Sequence, residues 1–133
     1  MLYFAYGSNL NHYQMKKRCK DSKFLKNFDL KGFKLTFRSI YRAADIEIKK
    51  DSIVTGALFE ISKNDEKKLD LYEDFPTLYK KLYFTYNNKK VMTYYMVRKS
   101  SFMYPKELYL NTIKQGYKDC KLDTNYLKKA LKN

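Results

Sequence analysis

The stretch Leu2-Tyr3-Phe4-Ala5-Tyr6-Gly7-Ser8-Asn9-Leu10 sets an uncharged, aromatic-rich run against a glycine and a small polar pair. An apolar run ended by glycine reads as a buried strand followed by a turn. Ser8, Asn9 or Asn11 can then cap a helix over Asn11 to Arg18. Strand, turn and helix start in this order bring several backbone N–H groups toward one point, where a carboxylate or a developing oxyanion is stabilised. The loop offers donors and no nucleophile. The same residues also fit a plainer reading, a tight turn closed by an Asx or Ser cap.

Outward from this elbow, β-type runs fall at Leu2–Tyr6, Phe24–Leu30, Phe33–Arg38, Ala44–Ile48, Ile53–Ile61, Lys81–Asn87 and Val91–Val97. Asp51-Ser52 separates two of them, and Asn87-Asn88-Lys89-Lys90 reads as a hairpin turn, so antiparallel pairing is expected. Phe33, Leu35 and Phe37 alternate with Lys34, Thr36 and Arg38, which predicts one core face and one solvent face. Helical segments are expected at Asn11–Arg18, Lys63–Tyr72, Lys106–Gln115 and Thr124–Leu131. Ser62 and Asp65 have the spacing of a capping box, and Pro76 bars continuation beyond Glu73. Gly116 is expected to close the third helix as a C-cap, and Asp123 or Thr124 to open the fourth. Gly56, inside a strand, marks a bulge or a close approach. The pattern predicts an α+β fold: a single domain over residues 1–133 with a small, mixed, mostly antiparallel sheet and short flanking helices. A closed β-barrel would hide the sheet edges, although periodicity alone does not dictate closure.

Composition narrows the function. With 44% hydrophobic and 32% charged residues, the 133-residue chain has a soluble globular profile rather than a disordered one. The longest apolar runs are far short of a membrane span, and Met1 leads directly into the first strand, so a cytoplasmic protein without membrane contact is expected. Cys19 and Cys120 suit neither a disulfide framework nor a zinc-finger spacing, which predicts two reduced, packing cysteines and no structural metal. The net charge of +14 raises nucleic acid as a partner. The lysines, however, are scattered in pairs such as Lys49-Lys50 and Lys89-Lys90, as on solvated faces, so specific nucleic-acid binding is not expected.

Nucleophilic catalysis finds little support. His12 is the only histidine, and on the predicted helix it lies roughly 10 Å from Cys19 by helical rise. It reads as a surface residue, and no His/Cys/Asp cluster has metal-ligand spacing. Carboxylates remain. Glu73 is expected at a helix C-terminus beside Asp74, among Tyr72, Phe75 and Tyr79. The helix dipole, a like charge and burial would all raise its pKa toward the range that suits a general acid/base. The plain alternative is a solvated acid at a helix end.

The opening stretch, Lys31-Gly32-Phe33-Lys34-Leu35-Thr36-Phe37-Arg38, Ala44-Asp45-Ile46, Val54-Thr55-Gly56-Ala57-Leu58-Phe59-Glu60-Ile61, Leu69-Asp70-Leu71-Tyr72-Glu73 with Pro76 and Tyr79, and Tyr109-Leu110 through Gly116 stand in an order that resembles the γ-glutamylcyclotransferase-like (AIG2-like) family. The resemblance covers nearly the whole chain. It implies a small barrel and a cofactor-independent enzyme that cleaves γ-glutamyl amino acids or γ-glutamylamines. In such enzymes the glutamate at the position of Glu73 deprotonates the substrate α-amine, which attacks the side-chain carbonyl and releases 5-oxoproline and an amine. By resemblance, Tyr6, Gly7, Ser8, Asn9 and Leu10 wall the pocket, Tyr109 hydrogen-bonds the substrate, and Asp45 orders the pocket or binds the ammonium group. Tyr109 as a packed aromatic and Asp45 as a strand-end acid remain equally consistent with their local sequence. The Gly-Ser-Asn-Leu elbow matches the general cyclotransferases better than relatives with Gly-Thr-Leu. The segment Arg98 to Tyr104 departs from the family pattern. The expected partner is a small γ-glutamyl substrate, with a monomer or homodimer both open. A non-catalytic binding module of the same fold, or a basic RNA-associated protein, are the alternative readings.

Overall fold

A computed structural model describes residues Met1 to Lys132. Its elements are β1 (Leu2–Ala5), a single 3-10 turn (Ser8–Leu10), α1 (His12–Arg18), β2 (Lys23–Arg38), β3 (Ala43–Glu60), α2 (Lys63–Tyr72), β4 (Tyr79–Tyr86), β5 (Lys89–Met96), α3 (Glu107–Asp119) and α4 (Thr124–Leu131). The fold is α+β, with one mixed five-stranded sheet in the order β2-β3-β1-β5-β4.

β1 is wholly buried because it has a neighbour on each side, as its uninterrupted apolar sequence requires. It pairs antiparallel with β3, from Leu2 opposite Glu60 to Ala5 opposite Ala57, and parallel with β5. Gly56 continues β3 past the end of this ladder, and a Cβ there would lie 2.3 Å from the Ala5 carbonyl oxygen and 2.7 Å from the Phe4 ring. The strand glycine is thus a place of close approach.

The predicted strand boundaries change in one respect. Phe24–Leu30 and Phe33–Arg38 are one strand, as are Ala44–Ile48 and Ile53–Ile61. The interruption at Asp51-Ser52 is a bulge rather than a connection: the register shifts between Lys31 and Phe33 while pairing resumes at Ile48. An irregularity of this kind bends a ribbon without ending it, so one long hairpin forms much of the curved sheet. The β4–β5 turn is tighter than predicted. Asn87 and Asn88 alone make it, at φ 49° and 61°, while Lys89 and Lys90 already pair with Tyr86 and Thr85. Asparagine tolerates this left-handed geometry, which matches the twist of a hairpin.

The outer strands β2 and β4 share no backbone ladder, so the sheet curls like a barrel without closing. Side chains span the gap. Phe28 of β2 stacks on Phe84 of β4 at 5.7 Å between centroids, and Phe4 of β1 meets both edge-on at 5.9 and 6.0 Å. Such pairs are worth about 0.5–1.5 kcal/mol each beyond the area they bury.

The predicted solvent face of Phe33–Arg38 is a second correction. Thr36 and Arg38 are buried, and the chain after β5 crosses over Arg38. Ser100 accepts from Arg38 at 2.9 Å, and Met103 N–H donates to Phe37 O at 2.9 Å. The segment Arg98 to Tyr104 is therefore a cover over an internal ion pair.

Helix caps follow the sequence. Asn11 accepts from Gln14 N–H, Ser62 and Asp65 form the reciprocal capping box, and Asp123 caps α4. α3 does not stop at Gly116; it runs on to Asp119. Gly116 serves a different purpose. A Cβ on it would lie 2.6 Å from the Leu10 carbonyl carbon and the Asn11 nitrogen, so α3 lies directly on the backbone that follows Gly7. Gly116→Ala gains about 1 kcal/mol of helix propensity, but the helix must move off the elbow. We expect a net destabilisation of about 1–3 kcal/mol, typical of overpacking, measurable by urea unfolding.

Candidate active site

A cavity of about 330 Å³ opens where the end of β1, the elbow, the start of β3 and the end of α2 meet. Its size lies at the lower end of roughly 300–1,000 Å³ for small-molecule sites. Tyr3, Tyr6, Gly7, Ser8 and Asn9 come from β1 and the elbow, and Tyr41, Ala43 and Ala44 from the approach to β3. Tyr72, Glu73 and Asp74 come from the end of α2, and Leu78, Tyr79, Tyr94 and Tyr109 complete the wall.

The elbow presents its backbone for a simple reason. In the 3-10 turn, Leu10 N–H bonds Gly7 O and Asn11 N–H bonds Ser8 O, each at 3.1 Å. The amides of Ser8 and Asn9 precede the first possible internal acceptor and are left to other partners. Gly7 fits closely beneath, its Cβ position 3.2 Å from Ala44 Cβ and 3.5 Å from Tyr109 Oη.

Glu73 is the C-cap of α2, with its N–H on Leu69 O at 2.8 Å. Asp74 then takes a left-handed conformation, φ 51°, and accepts from the amides of Thr77 and Leu78 at 2.9 Å. This sharp turn leaves the Glu73 side chain on the cavity wall. Burial pushes its carboxyl from the ordinary 4.5 up to about 7, while the Arg18 guanidinium opposes the rise. Burial is thus the cause that carries the shift, and the opposing cation is one the sequence did not indicate.

Arg18 is held on all sides. Its NH1 donates to Ser8 Oγ at 3.1 Å and to Asn9 Oδ1 at 2.5 Å, and its plane lies 3.3 Å from the centroid of the Tyr72 ring. With the Gln14 amide turned to offer its oxygen, Nε and NH2 also find an acceptor at 2.7 and 2.6 Å. The end of α1 is thereby joined to both the elbow and the residue before Glu73.

Of the residues singled out in the sequence, Tyr6, Gly7, Ser8, Asn9, Glu73 and Tyr109 meet at this cavity. Leu10 does not: its side chain is fully buried under α3. Asp45 does not reach the cavity either, which corrects its expected contact with an ammonium group. Its Oδ1 accepts Met96 N–H at 2.7 Å, and its Oδ2 faces Lys99 Nζ at 2.9 Å and Arg38 Nε at 3.1 Å. Arg38 also reaches Glu47. Asp45 is an internal counter-ion beneath the wall, and its neighbour Ala44 is the residue that faces the cavity.

Tyr3, Tyr72, Tyr79 and Tyr94 are wall residues that the motifs passed over. Only the chain's fourteen tyrosines and the aromatic opening strand hinted at them. Tyr79 donates to Ala44 O at 2.6 Å, Tyr109 Oη accepts from Ala44 N–H at 2.9 Å, and Tyr94 donates to Asp70 Oδ1 at 2.6 Å. Burial raises the phenols of Tyr3, Tyr6, Tyr79, Tyr94 and Tyr109 well above their usual range, so they remain neutral.

His12, read as a surface residue, is instead half-buried against Phe24, with Cys120 Sγ 3.4 Å from its Nε2. That thiol also points to Leu10 O at 3.3 Å, and burial pushes it up to about 12, so it is a packed donor rather than a nucleophile. Cys19 and Cys120 are both free and buried. Among the described residues, no three His, Cys, Asp or Glu side chains are grouped to hold a metal, and no helix is long and apolar enough to cross a membrane.

Residues 3–117 match the family model described as gamma-glutamyl cyclotransferase, AIG2-like, and the chain belongs to that family. Solved structures share its fold. One described as gamma-glutamyl cyclotransferase is 24% identical with a TM-score of 0.79, over 98% of this chain and 85% of the other. An uncharacterised Homo sapiens protein, loc79017, is 23% identical with a TM-score of 0.77, over 97% and 85%. YkqA from Bacillus subtilis is 20% identical with a TM-score of 0.80; the match takes in 100% of this chain and 54% of YkqA, about half its length. No curated protein matches the sequence significantly.

Two outcomes follow for the Glu73 carboxyl. Because Arg18 holds its pKa down, Arg18→Met moves the midpoint above about 7, measured by carbon-13 NMR titration. A folded pKa near 7 against an ordinary 4.5 also means that, between these values, the native state keeps a proton the unfolded chain has lost. Stability therefore falls as pH rises through that window. Glu73→Gln removes this penalty, so the variant gains on wild type from pH 4.5 to about 7 and keeps that gain above it, measured by denaturant unfolding at pH 4.5 and pH 8.

Proposed function

We propose that the protein is a γ-glutamylcyclotransferase acting on γ-glutamyl amino acids or γ-glutamylamines, with Glu73 as general acid/base. The observation that carries this reading is the shared cavity: a carboxyl group raised toward neutrality and the amide-bearing elbow line the same small space. The wall holds Glu73 and Asp74 and no lysine, arginine or histidine, although the chain carries a net charge of +14. Such a wall suits an ammonium group, while the basic exterior draws in an anionic substrate.

Glu73 in its ionised form takes a proton from the substrate α-ammonium. The freed amine nitrogen bonds to the side-chain carbonyl carbon, and the carbonyl oxygen becomes an oxyanion near the elbow amides. Collapse breaks the bond to the leaving nitrogen, which receives the proton from Glu73; the Glu73 carboxylate so regenerated passes on the second proton of the attacking nitrogen as well, so the leaving group departs as an ammonium ion and the ring keeps one N–H. The products are 5-oxoproline and the free amine; no water is consumed and no bond to the protein forms. Attack within one molecule that closes a five-membered ring needs mainly a folded substrate, a neutral amine and a stabilised oxyanion. A carboxyl near pH 7 can both accept and return the proton. Tyr109, fixed by Ala44 N–H, is positioned to donate to the substrate.

The test measures 5-oxoproline released from a panel of γ-glutamyl dipeptides and γ-glutamylamines. Glu73→Gln, folded as judged by circular dichroism, should lose about 10²–10⁴-fold in kcat. For wild type, kcat/KM should fall as pH drops below about 7, because protonated Glu73 cannot accept the ammonium proton. Turnover that survives Glu73→Gln, or an acid limb that persists in that variant, would remove Glu73 from the mechanism. A folded wild type inert to the whole panel would favour a binding module.

A further inference from the structure

The cavity phenols divide by what their hydroxyl protons are bonded to. Tyr6 donates to Tyr94 O at 2.7 Å, Tyr79 to Ala44 O at 2.6 Å and Tyr94 to Asp70 at 2.6 Å. Their protons are committed to the protein. Tyr3 and Tyr109 are different: the Tyr109 oxygen accepts from Ala44 N–H at 2.9 Å and the Tyr3 oxygen from Asn9 Nδ2 at 3.0 Å, and among the described residues neither phenol proton has an acceptor.

The direction of the Asn9–Tyr3 bond is dictated by charge. A guanidinium can only donate, so the atom of Asn9 that faces Arg18 NH1 at 2.5 Å must be the amide oxygen. The amide nitrogen is therefore the end turned to Tyr3, and Tyr3 is obliged to accept. A phenol that accepts from one neighbour still carries one proton to donate, and Tyr3 lines the cavity while being 4% exposed.

Resting on the cyclotransferase reading above, we propose that Tyr3 is a catalytic residue whose O–H donates to the γ-glutamyl carbonyl oxygen as it becomes an oxyanion, oriented by the relay from Arg18 through Asn9. The place of Glu73 selects this atom of the substrate. Of all the charges in the molecule, that of Glu73 weighs most on the Tyr3 phenol. The nitrogen that Glu73 deprotonates becomes bonded to the same carbon as the oxyanion, so the oxyanion's donor must sit beside Glu73. A substrate carboxylate at this position would meet Glu73 as a like charge. The phenol also stays protonated throughout the working range, since burial and the nearby carboxylate both hold it far above its usual pKa. It is a donor at every pH where Glu73 is a base.

Steady-state kinetics on a γ-glutamyl substrate turned over by wild type tests this. Tyr3→Phe should lower kcat by about 10²–10³-fold, as removal of one oxyanion donor does, with KM and the thermal midpoint little changed. Incorporation of 3-fluorotyrosine at position 3, which retains the hydroxyl, should keep kcat within about threefold of wild type. A Tyr3→Phe protein with wild-type kcat, or one that changes only in KM, overturns the assignment to Tyr3 while leaving the cyclotransferase reading in place. A wild type that releases no 5-oxoproline from any γ-glutamyl compound overturns both.

Discussion

The approach of the α3 backbone to the chain just after Gly7 is the constraint on which the site depends. Within its own backbone the elbow has only the two hydrogen bonds of its 3-10 turn, too few to hold a loop rigid against water. Arg18 holds its side chains, and α3 holds the backbone that follows. Gly116 admits the Leu10–Asn11 backbone to within a distance no side chain would allow, and Thr112 O accepts from Asn11 Nδ2 at 3.2 Å. Cys120 Sγ meets Leu10 O at 3.3 Å, and Asp119 accepts from His12 N–H at 2.9 Å. Three successive levels of the helix, at Thr112, at Gly116 and at Asp119 with the C-cap Cys120, thus fasten one short segment, and the same helix carries Tyr109 at its start to fasten Ala44 on the opposite wall. Donors held in this way need no reorganisation when charge develops beside them, which is the condition for strong electrostatic stabilisation.

The chemistry of the cavity comes from the contrast between its wall and the rest of the molecule. Seven tyrosines line it, each offering a polar tip on an apolar ring, so the space is dry enough to raise a carboxyl and polar enough to orient a ligand. Arg18 limits the effect. Stacked on Tyr72 and bonded to Ser8 and Asn9, it stands close enough to hold the Glu73 pKa near neutrality rather than higher. The same guanidinium also fixes the Asn9 amide, so one cation sets both the acidity of the acid and the direction of a neighbouring phenol. The cost is a carboxyl whose charged form destabilises the fold, a common arrangement where a binding cavity is kept ready for a substrate.

Much of this was legible along the chain because it is local. The elbow, the Asn11 cap, the Ser62–Asp65 capping box and the end of α2 before Glu73 each depend on residues within a few positions of one another. Periodicity located the strands but divided two of them, because Gly32 and Asp51 are ordinary turn signals and nothing local distinguishes a bulge from a break. Thr36 and Arg38 alternate as a solvent face should; what covers Arg38 is a segment some sixty residues later, as in the Arg38–Ser100 contact. Asp45 looked available for the same reason, and its carboxylate proved to be occupied by Arg38, Lys99 and the Met96 amide. Gly116 stood near a helix end, so capping was its natural local explanation, whereas its use is in a contact with residues more than a hundred positions earlier.

By itself, the sequence determined the α+β class, the Gly-Ser-Asn elbow and the placement of an acid at a helix end, since hydrophobic period, turn chemistry and capping act over one or two turns of chain. Tertiary structure alone decided that the elbow and Glu73 share a cavity, that burial raises this carboxyl, and that Arg18, Tyr3, Tyr79 and Tyr94 belong to the site while Leu10 and Asp45 do not. The physical reason is one of range: desolvation, ion pairing and the direction of a side-chain hydrogen bond depend on which distant segments come together, and no local pattern encodes that.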